Sequence, residues 1–551
     1  MRIGLLTEGG YPYVSGDARL WCDRLVRGLG QHEFDVYALS RSRSQEDEGW
    51  VALPPQVGRV RTAPLWAAED DGVVYGRRAR RRFAEHYGEL VAVMCASGSP
   101  EAASTLEADR FGSALYGLAE LARDEGGGLG GALRSDSAVR ALERACRAPG
   151  AQRTAREARV PDLLSVAAHL ERALRPLSLD WYQDDDLGAV DLCHATSGGP
   201  AALPGLLARH FFGVPLLLTE YGVRLRTHYL AATDAPPAVR SLLAAFHGRL
   251  AAETYDRAAI VTPGNAHARR WQERCGADRA KLRTVHPGMD ASPFAEVGES
   301  TDCADPDTLV WVGRVEPTKD LVSLLHAFAE IRKEEPKTRL RIIGAPAGAE
   351  GETYLGHCRV LAAQLFPDEA EGPHTVGDNP VSFAEIGGPE LPTLADAYAS
   401  GGVTVLSSVV EGFPISLVEA MFCGRATVST DVGAVVEVIG GTGLVVPPRN
   451  PRALAEACVA LLRDPARRER LGAAARARAL ELFTVEQNTT AFHGIYLEIV
   501  ARTPLRRVVV DETGEPRPFA VPAEAHVPGR WTGARVVPRS VPAWATPEGA
   551  R

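Results

Sequence analysis

The sequence predicts an α/β protein built of two Rossmann-like lobes, each a doubly wound parallel sheet, facing each other across a cleft. Two observations carry that expectation. Residues 2–7 read as an apolar strand, followed by a glycine-bearing loop, a helical pattern around Leu20, Leu25 and Leu29, and a second strand at 34–39. Strand–loop–helix–strand order requires the crossover connection of a parallel sheet. The same grammar restarts at 308–312, so the 551 residues divide into two α/β units joined near residue 300. A third observation qualifies the first: from about 77 to 176 the chain is Ala/Arg/Leu-rich with helical spacing only, which marks a helical insertion in the first lobe.

Within the first lobe the strand rhythm resumes at 189–193, 214–219, 258–262 and 282–285. In the second, Asp320 stands where a helix N-cap belongs, ahead of Leu321, Leu324, Leu325, Phe328 and Ile331 on one face. Further strands are expected at 340–343, 403–406, 427–429 and 443–445, and helices at 451–462 and 465–483. The expected divisions are a first lobe over 1–300, a second over 301–484, and a tail over 501–551. The tail's Pro/Arg-rich composition and lack of periodicity read as disorder.

The chain is 45% hydrophobic and carries a formal net charge of -9. That balance argues against non-specific nucleic-acid binding, which needs a positive surface. Only four of the 61 basic residues are lysines (Lys281, Lys319, Lys333, Lys337), a bias in keeping with a GC-rich genome. No apolar run with a cleavage site follows Met1, and no stretch of about 18 apolar residues occurs. The nine cysteines are scattered, with no CxxC pair, and read as small hydrophobes of a reducing compartment. The expected location is cytoplasmic.

Two motifs carry chemistry. In 312–320 a strand ends at Gly313, Arg314 and Lys319 follow five residues apart, and a helix begins. A glycine there admits close backbone approach, a helix start favours an anion, and the two cations suit a diphosphate, Arg as a fork and Lys as a point charge. In 411–419, Glu411 and Glu419 stand eight apart, and Gly412-Phe413-Pro414 leads into a helix through Ser416 and Leu417. Amides at that helix start suit a phosphate or a sugar hydroxyl, and each carboxylate can accept from a diol. Either motif alone reads equally well as a solvated loop; two of them about 100 residues apart in one lobe do not.

Together these segments resemble the donor lobe of retaining glycosyltransferase family 4, which has the GT-B fold. Pro287-Gly288-Met289-Asp290 with Phe294, and Asp431-Val432-Gly433 with Glu437, fit the same family. In the first lobe, residues 7–16 (TEGGYPYVSG) with Trp21, His194-Ala195-Thr196-Ser197-Gly198-Gly199, and Thr219-Glu220-Tyr221-Gly222 are similar to PelF-like glucosyltransferases. The resemblance covers roughly residues 1–500. It implies a UDP-sugar donor, with glucose the expected sugar, a carbohydrate or related acceptor, and no cofactor or metal. Arg314 and Lys319 would hold the diphosphate, Glu419 the ribose and Glu411 the donor sugar, with Gly412, Phe413, Pro414, Ser416 and Leu417 completing that wall. Gly9, Gly10 and Gly16 would form the opposing loop, and His194, Glu220 and Tyr221 the catalytic side of the first lobe. A last helix over 485–500 would cross back onto the first lobe. The family also implies an alternative, a catalytically idle nucleotide-sugar-binding subunit associated peripherally with a membrane polysaccharide assembly.

Two departures stand out. Tyr221 occupies a position usually held by His, and a phenol with an ordinary pKa near ~10 is a poor base at neutral pH. Asp17 replaces a common glycine. Three further signals point elsewhere. Residues 126–131 satisfy GxGxxG but follow a helical pattern, so they read as a flexible linker. Asp184-Asp185-Asp186 precedes a strand and reads as a solvated loop; residues 77–82 (RRARRR) read as a charged helix start.

Overall fold

The computed structural model describes residues 1–16, 18–67, 71–98, 105–231, 235–300, 303–369 and 378–503. Asp17 and nearly all of the 501–551 tail lie outside the described residues.

Two six-stranded parallel sheets organise the chain. The first contains β1 (Arg2–Glu8), β2 (Glu33–Ser40), β3 (Val57–Pro64), β4 (Leu192–Ala195), β5 (Leu216–Glu220) and β6 (Ile260–Pro263) in the order β3-β2-β1-β4-β5-β6. The second contains β7 (Thr308–Val312), β8 (Arg339–Ile343), β9 (Val381–Ala384), β10 (Val403–Leu406), β11 (Ala426–Thr430) and β12 (Leu444–Val446) in the order β12-β11-β10-β7-β8-β9. The two orders are the same doubly wound pattern. Each reverses between its first and fourth strands, β1 beside β4 and β7 beside β10. Ligands of such sheets bind at that reversal, beyond the carboxyl ends of the strands.

Sequence periodicity explains most of these elements. The central strands are apolar on both faces because helices cover both: Ile3 and Leu5 face one core cluster and Leu6 another. The 77–176 stretch forms the helices Arg77–Cys95, Thr105–Glu125, Asp136–Arg147 and Val160–Leu174 with shorter turns. Their core is continuous with that of the sheet, so the insertion packs on the lobe rather than standing apart. The last helix among the described residues, Val485–Arg502, lays Phe492, Ile495, Tyr496 and Ile499 against Ile3, Trp21 and Val26 of the first lobe.

Several expectations need correction. The strand expected at 189–193 begins later, at Leu192, after a 3-10 turn over Leu187–Ala189. The one expected at 282–285 is reduced to a single bridge between Val261 and Leu282. Strands β3 and β9 went unread because they are half-exposed at sheet edges, with polar residues interrupting the apolar pattern. The glycines 126–128 form a fixed left-handed turn whose Gly128 amide donates to Asp71 at 2.6 Å. Asp186 is no solvated loop residue: it is 3% exposed, paired with Arg59 and, at 2.7 Å, with Arg61.

Candidate active site

The reversal in the second sheet explains why residues about 90 apart in sequence meet. The loop after β7 carries Arg314 and Lys319; the loop after β10 carries Ser407, Ser408 and Glu411. Lys319 Nζ donates to Glu411 Oε1 at 2.5 Å, and Ser408 Oγ donates to the same oxygen at 2.7 Å. Ser407 Oγ donates to the Lys319 carbonyl at 2.8 Å, and the Val409 amide to that of Thr318 at 2.9 Å. The two loops are thus stitched along their length. Asp320 caps the helix Leu321–Glu334 by accepting from the Ser323 amide at 3.3 Å, which fixes the end of the lysine loop.

Glu411 is further held by the next turn. Gly433 sits at φ +57°, where a Cβ would stand 2.4 Å from the Glu411 carbonyl oxygen, so glycine is required there. The loop then enters the helix Ile415–Phe422 through exposed Gly412, half-buried Phe413 and buried Pro414. Phe413 packs edge-on against Phe483, their centroids 5.7 Å apart. Ser416 contributes its carbonyl to Tyr398, and Leu417 is core. Tyr398 also donates to Glu419 Oε2 at 2.8 Å. Burial pushes the Glu419 carboxyl up to about 7, against the opposing influences of that hydrogen bond and of Arg24 from the first lobe. Arg314 is exposed and has no carboxylate within ion-pair distance among the described residues.

In the first lobe, residues 9–16 follow β1, at the carboxyl end of that sheet's reversal. The loop folds on itself: Gly16, at φ +124°, brings its α-carbon so near the Gly9 carbonyl that a Cβ would lie 2.1 Å away. Gly10 accepts from the Tyr13 amide at 3.0 Å. Beside the loop, Glu8 Oε1 accepts from Arg41 at 3.1 Å and from Arg224 at 3.0 Å. Contacts between the lobes are specific. Arg226 Nη2 donates to the Glu411 carbonyl at 3.1 Å, and Glu437 Oε2 accepts from the Ala266 amide at 2.6 Å, at the start of the helix Ala266–Arg274.

The structure brings together Lys319, Glu411 and the loop 412–417, with Arg314 on the same loop as Lys319. Of the first-lobe residues that sequence reasoning singled out, His194 and Glu220 are buried and Tyr221 is half-buried. His194 is fully buried; Nδ1 meets Tyr496 Oη and Nε2 meets Thr219 Oγ1, both at 2.7 Å. Burial lowers its pKa to about 3, so the ring is neutral. Glu220 is 1% exposed and accepts from Tyr255 at 2.5 Å and from the Arg224 amide at 3.3 Å; burial raises its pKa. Tyr221 receives Asn488 Nδ2 at 3.3 Å and packs edge-on to Trp21 at 5.2 Å, with burial pushing the phenol further up. His194 and Glu220 are thus enclosed by the first lobe and its crossing helix, and Tyr221 is half-buried beside them. Sequence reasoning passed over Arg224 and Arg226, although an Arg-x-Arg following a strand-end loop was a readable sign.

Comparison with known proteins gives these loops a context. A family model described as a domain of unknown function (DUF3492) matches residues 1–280, just over half of the chain. The chain belongs to that family. A second model, glycosyl transferases group 1, matches residues 306–464, the lobe that carries Lys319 and Glu411. The D-inositol 3-phosphate glycosyltransferase of Kineococcus radiotolerans is 32% identical over 298 residues, 50% of this chain and 64% of that protein. The protein of the same description from Kribbella flavida is 31% identical over 287 residues, 49% and 63% respectively. The chain thus aligns with somewhat under two thirds of these relatives' length. Among solved structures, sucrose-phosphate synthase from Thermosynechococcus elongatus superposes with a TM-score of 0.53 at 18% identity, covering 91% of this chain and 99% of that one. Anabaena Alr3699/HepE in complex with UDP gives 0.52 at 15% identity, covering 90% and 99%. These likenesses show the fold: two Rossmann-like lobes in the GT-B arrangement.

Proposed function

We propose that the protein is a retaining glycosyltransferase that moves a hexose, glucose, from a UDP-sugar to a carbohydrate or related acceptor. The observation that carries this is the Lys319–Glu411 pair, joined across two strand-end loops at the sheet reversal of a group 1 glycosyl transferase lobe. Arg314 and Lys319 hold the donor diphosphate and stabilise the leaving UDP, a task that needs no metal once fixed cations face the developing charge. Glu419 accepts from the ribose hydroxyls, and Glu411, already holding Lys319, orients the sugar. The bond from the anomeric carbon to UDP breaks as the acceptor oxygen bonds to that carbon from the same face. The acceptor's proton passes to the departing phosphate oxygen, so no protein nucleophile is called for. The neutral, enclosed His194 and the hydrogen-bonded Glu220 are consistent with a first lobe that contributes shape and closure rather than a base.

That same absence of a first-lobe base among the residues foreseen favours the second reading, an idle nucleotide-sugar-binding subunit of a polysaccharide assembly. One experiment separates the two. Release of UDP, GDP and ADP from their glucose nucleotides is followed over a panel of sugar and sugar-phosphate acceptors, with the product anomer assigned by NMR. Turnover of the UDP donor with retention, abolished in Lys319→Ala and Glu411→Ala, is the expected result. Full activity in either variant sinks the site assignment; UDP binding without turnover establishes the idle subunit.

A further inference from the structure

Among the described residues Arg226 is a cation without a counter-ion. It lies in the helix Arg224–Ala231, half-buried, and its one hydrogen bond among the described residues goes to a neutral group, the Glu411 carbonyl. No described carboxylate lies within ion-pair distance. Burial shifts its pKa downward. Arg226, Arg270 and Arg274 all depress the pKa of His267, after burial. Arg224, two residues away, is already engaged by Glu8. A guanidinium has five donors, and taking such a charge out of water is costly unless an anion arrives to meet it.

The Glu411 carbonyl places this cation on the first-lobe wall, facing the loop that holds Lys319. There is a shortfall of charge on the other wall. Lys319 is neutralised by Glu411 at 2.5 Å, so of the two donor-lobe cations only Arg314 stands unmatched. A nucleotide sugar brings one negative charge on each of two phosphates, and a further one develops as the sugar leaves. We propose that Arg226 is the missing cationic ligand of the donor diphosphate, supplied by the opposite lobe. The assignment rests on the nucleotide-sugar reading above. It gives the first lobe an anion-binding position of its own and makes full neutralisation of the leaving group depend on the lobes being together.

Calorimetric titration of UDP, uridine and inorganic pyrophosphate onto the wild type, Arg226→Gln and Arg226→Lys tests this. UDP and pyrophosphate affinity should fall about thirty-fold in Arg226→Gln, the loss of one charge-assisted contact, with most of it restored in Arg226→Lys. Uridine affinity should be the same in all three. Equal UDP affinity in wild type and Arg226→Gln overturns the proposal. So does a parallel loss of uridine and UDP, which marks Arg226 as a strut between lobes. The two readings fail differently: a wild type that ignores UDP but binds pyrophosphate through Arg226 overturns the nucleotide-sugar assignment and leaves the anion site standing.

Discussion

The pairing of Lys319 with Glu411 makes a quantitative prediction about stability as well as chemistry. The two side chains are 17% and 9% exposed, so water screens them little. Lys319→Met removes the ammonium and leaves a largely buried carboxylate with Ser408 as its remaining side-chain donor. Breaking such a pair costs about 3–5 kcal/mol, and the retained Ser408 bond places this case at the lower end, about 3 kcal/mol. Glu411→Gln preserves shape and the Ser408 contact and strands a lysine whose flexible stem can reach solvent, a smaller cost of about 1.5 kcal/mol. The double variant leaves no uncompensated charge, so it should lose about 2.5 kcal/mol, giving a coupling energy of about 2 kcal/mol. Urea unfolding read by hydrogen exchange in peptides from β7 and β10 isolates the donor lobe from the rest. A coupling below about 0.5 kcal/mol, the range of exposed surface pairs, refutes the claim that the two loops are locked by this contact.

Three other predictions follow from the same geometry. Glu419, with its pKa raised to about 7, carries a proton at pH 6 and is ionised at pH 8; only the carboxylate accepts from both ribose hydroxyls, so UDP should bind about tenfold more weakly at pH 6. Calorimetry on Glu419→Gln, where that pH-dependent component vanishes, checks the attribution. Gly433→Ala, with its Cβ driven towards the Glu411 carbonyl, should lower donor affinity at least tenfold while hydrogen exchange in β10 and β11 stays unchanged. His194→Ala should lower the melting temperature, costing about 3 kcal/mol through a stranded Tyr496 hydroxyl and a cavity, while Thr219 keeps its bond to Thr262. Its turnover per folded molecule should match the wild type; a selective loss of turnover would restore a chemical role to the ring.

The second lobe's strand-end loops were legible because their pattern is local. Arg314, Lys319 and Glu411 sit on loops whose places are set by flanking strands of clear apolar pattern, Glu419 sits in the helix that the second loop enters, and parallel-sheet topology brings β7 and β10 together. The first lobe was less readable. A histidine at a strand end looks identical in sequence whether its strand is the rim of a cleft or, as for His194, a floor roofed by a helix 300 residues later. The surroundings of Glu220 and Tyr221 were unreadable for the same reason: their partners Tyr255 and Asn488 come from distant helices. Arg226 offered a readable Arg-x-Arg sign in the sequence, but its lack of an ion-pair partner among the described residues is visible only in the packed structure.

The helix Val485–Arg502 has a consequence for how the molecule is made. It is the last helix of the described chain, yet Phe492, Tyr496 and Ile499 complete the apolar face of the sheet formed first, and Tyr496 supplies the partner of His194. A ribosome that has released the first 300 residues has therefore not released a finished lobe. Ile3, Leu5 and Trp21 must wait, uncovered on one side, until the second lobe has emerged and folded, so synthesis and assembly run in a loop rather than lobe by lobe. Chaperone dependence of nascent chains should accordingly track the arrival of residues near 500, not the end of the first sheet.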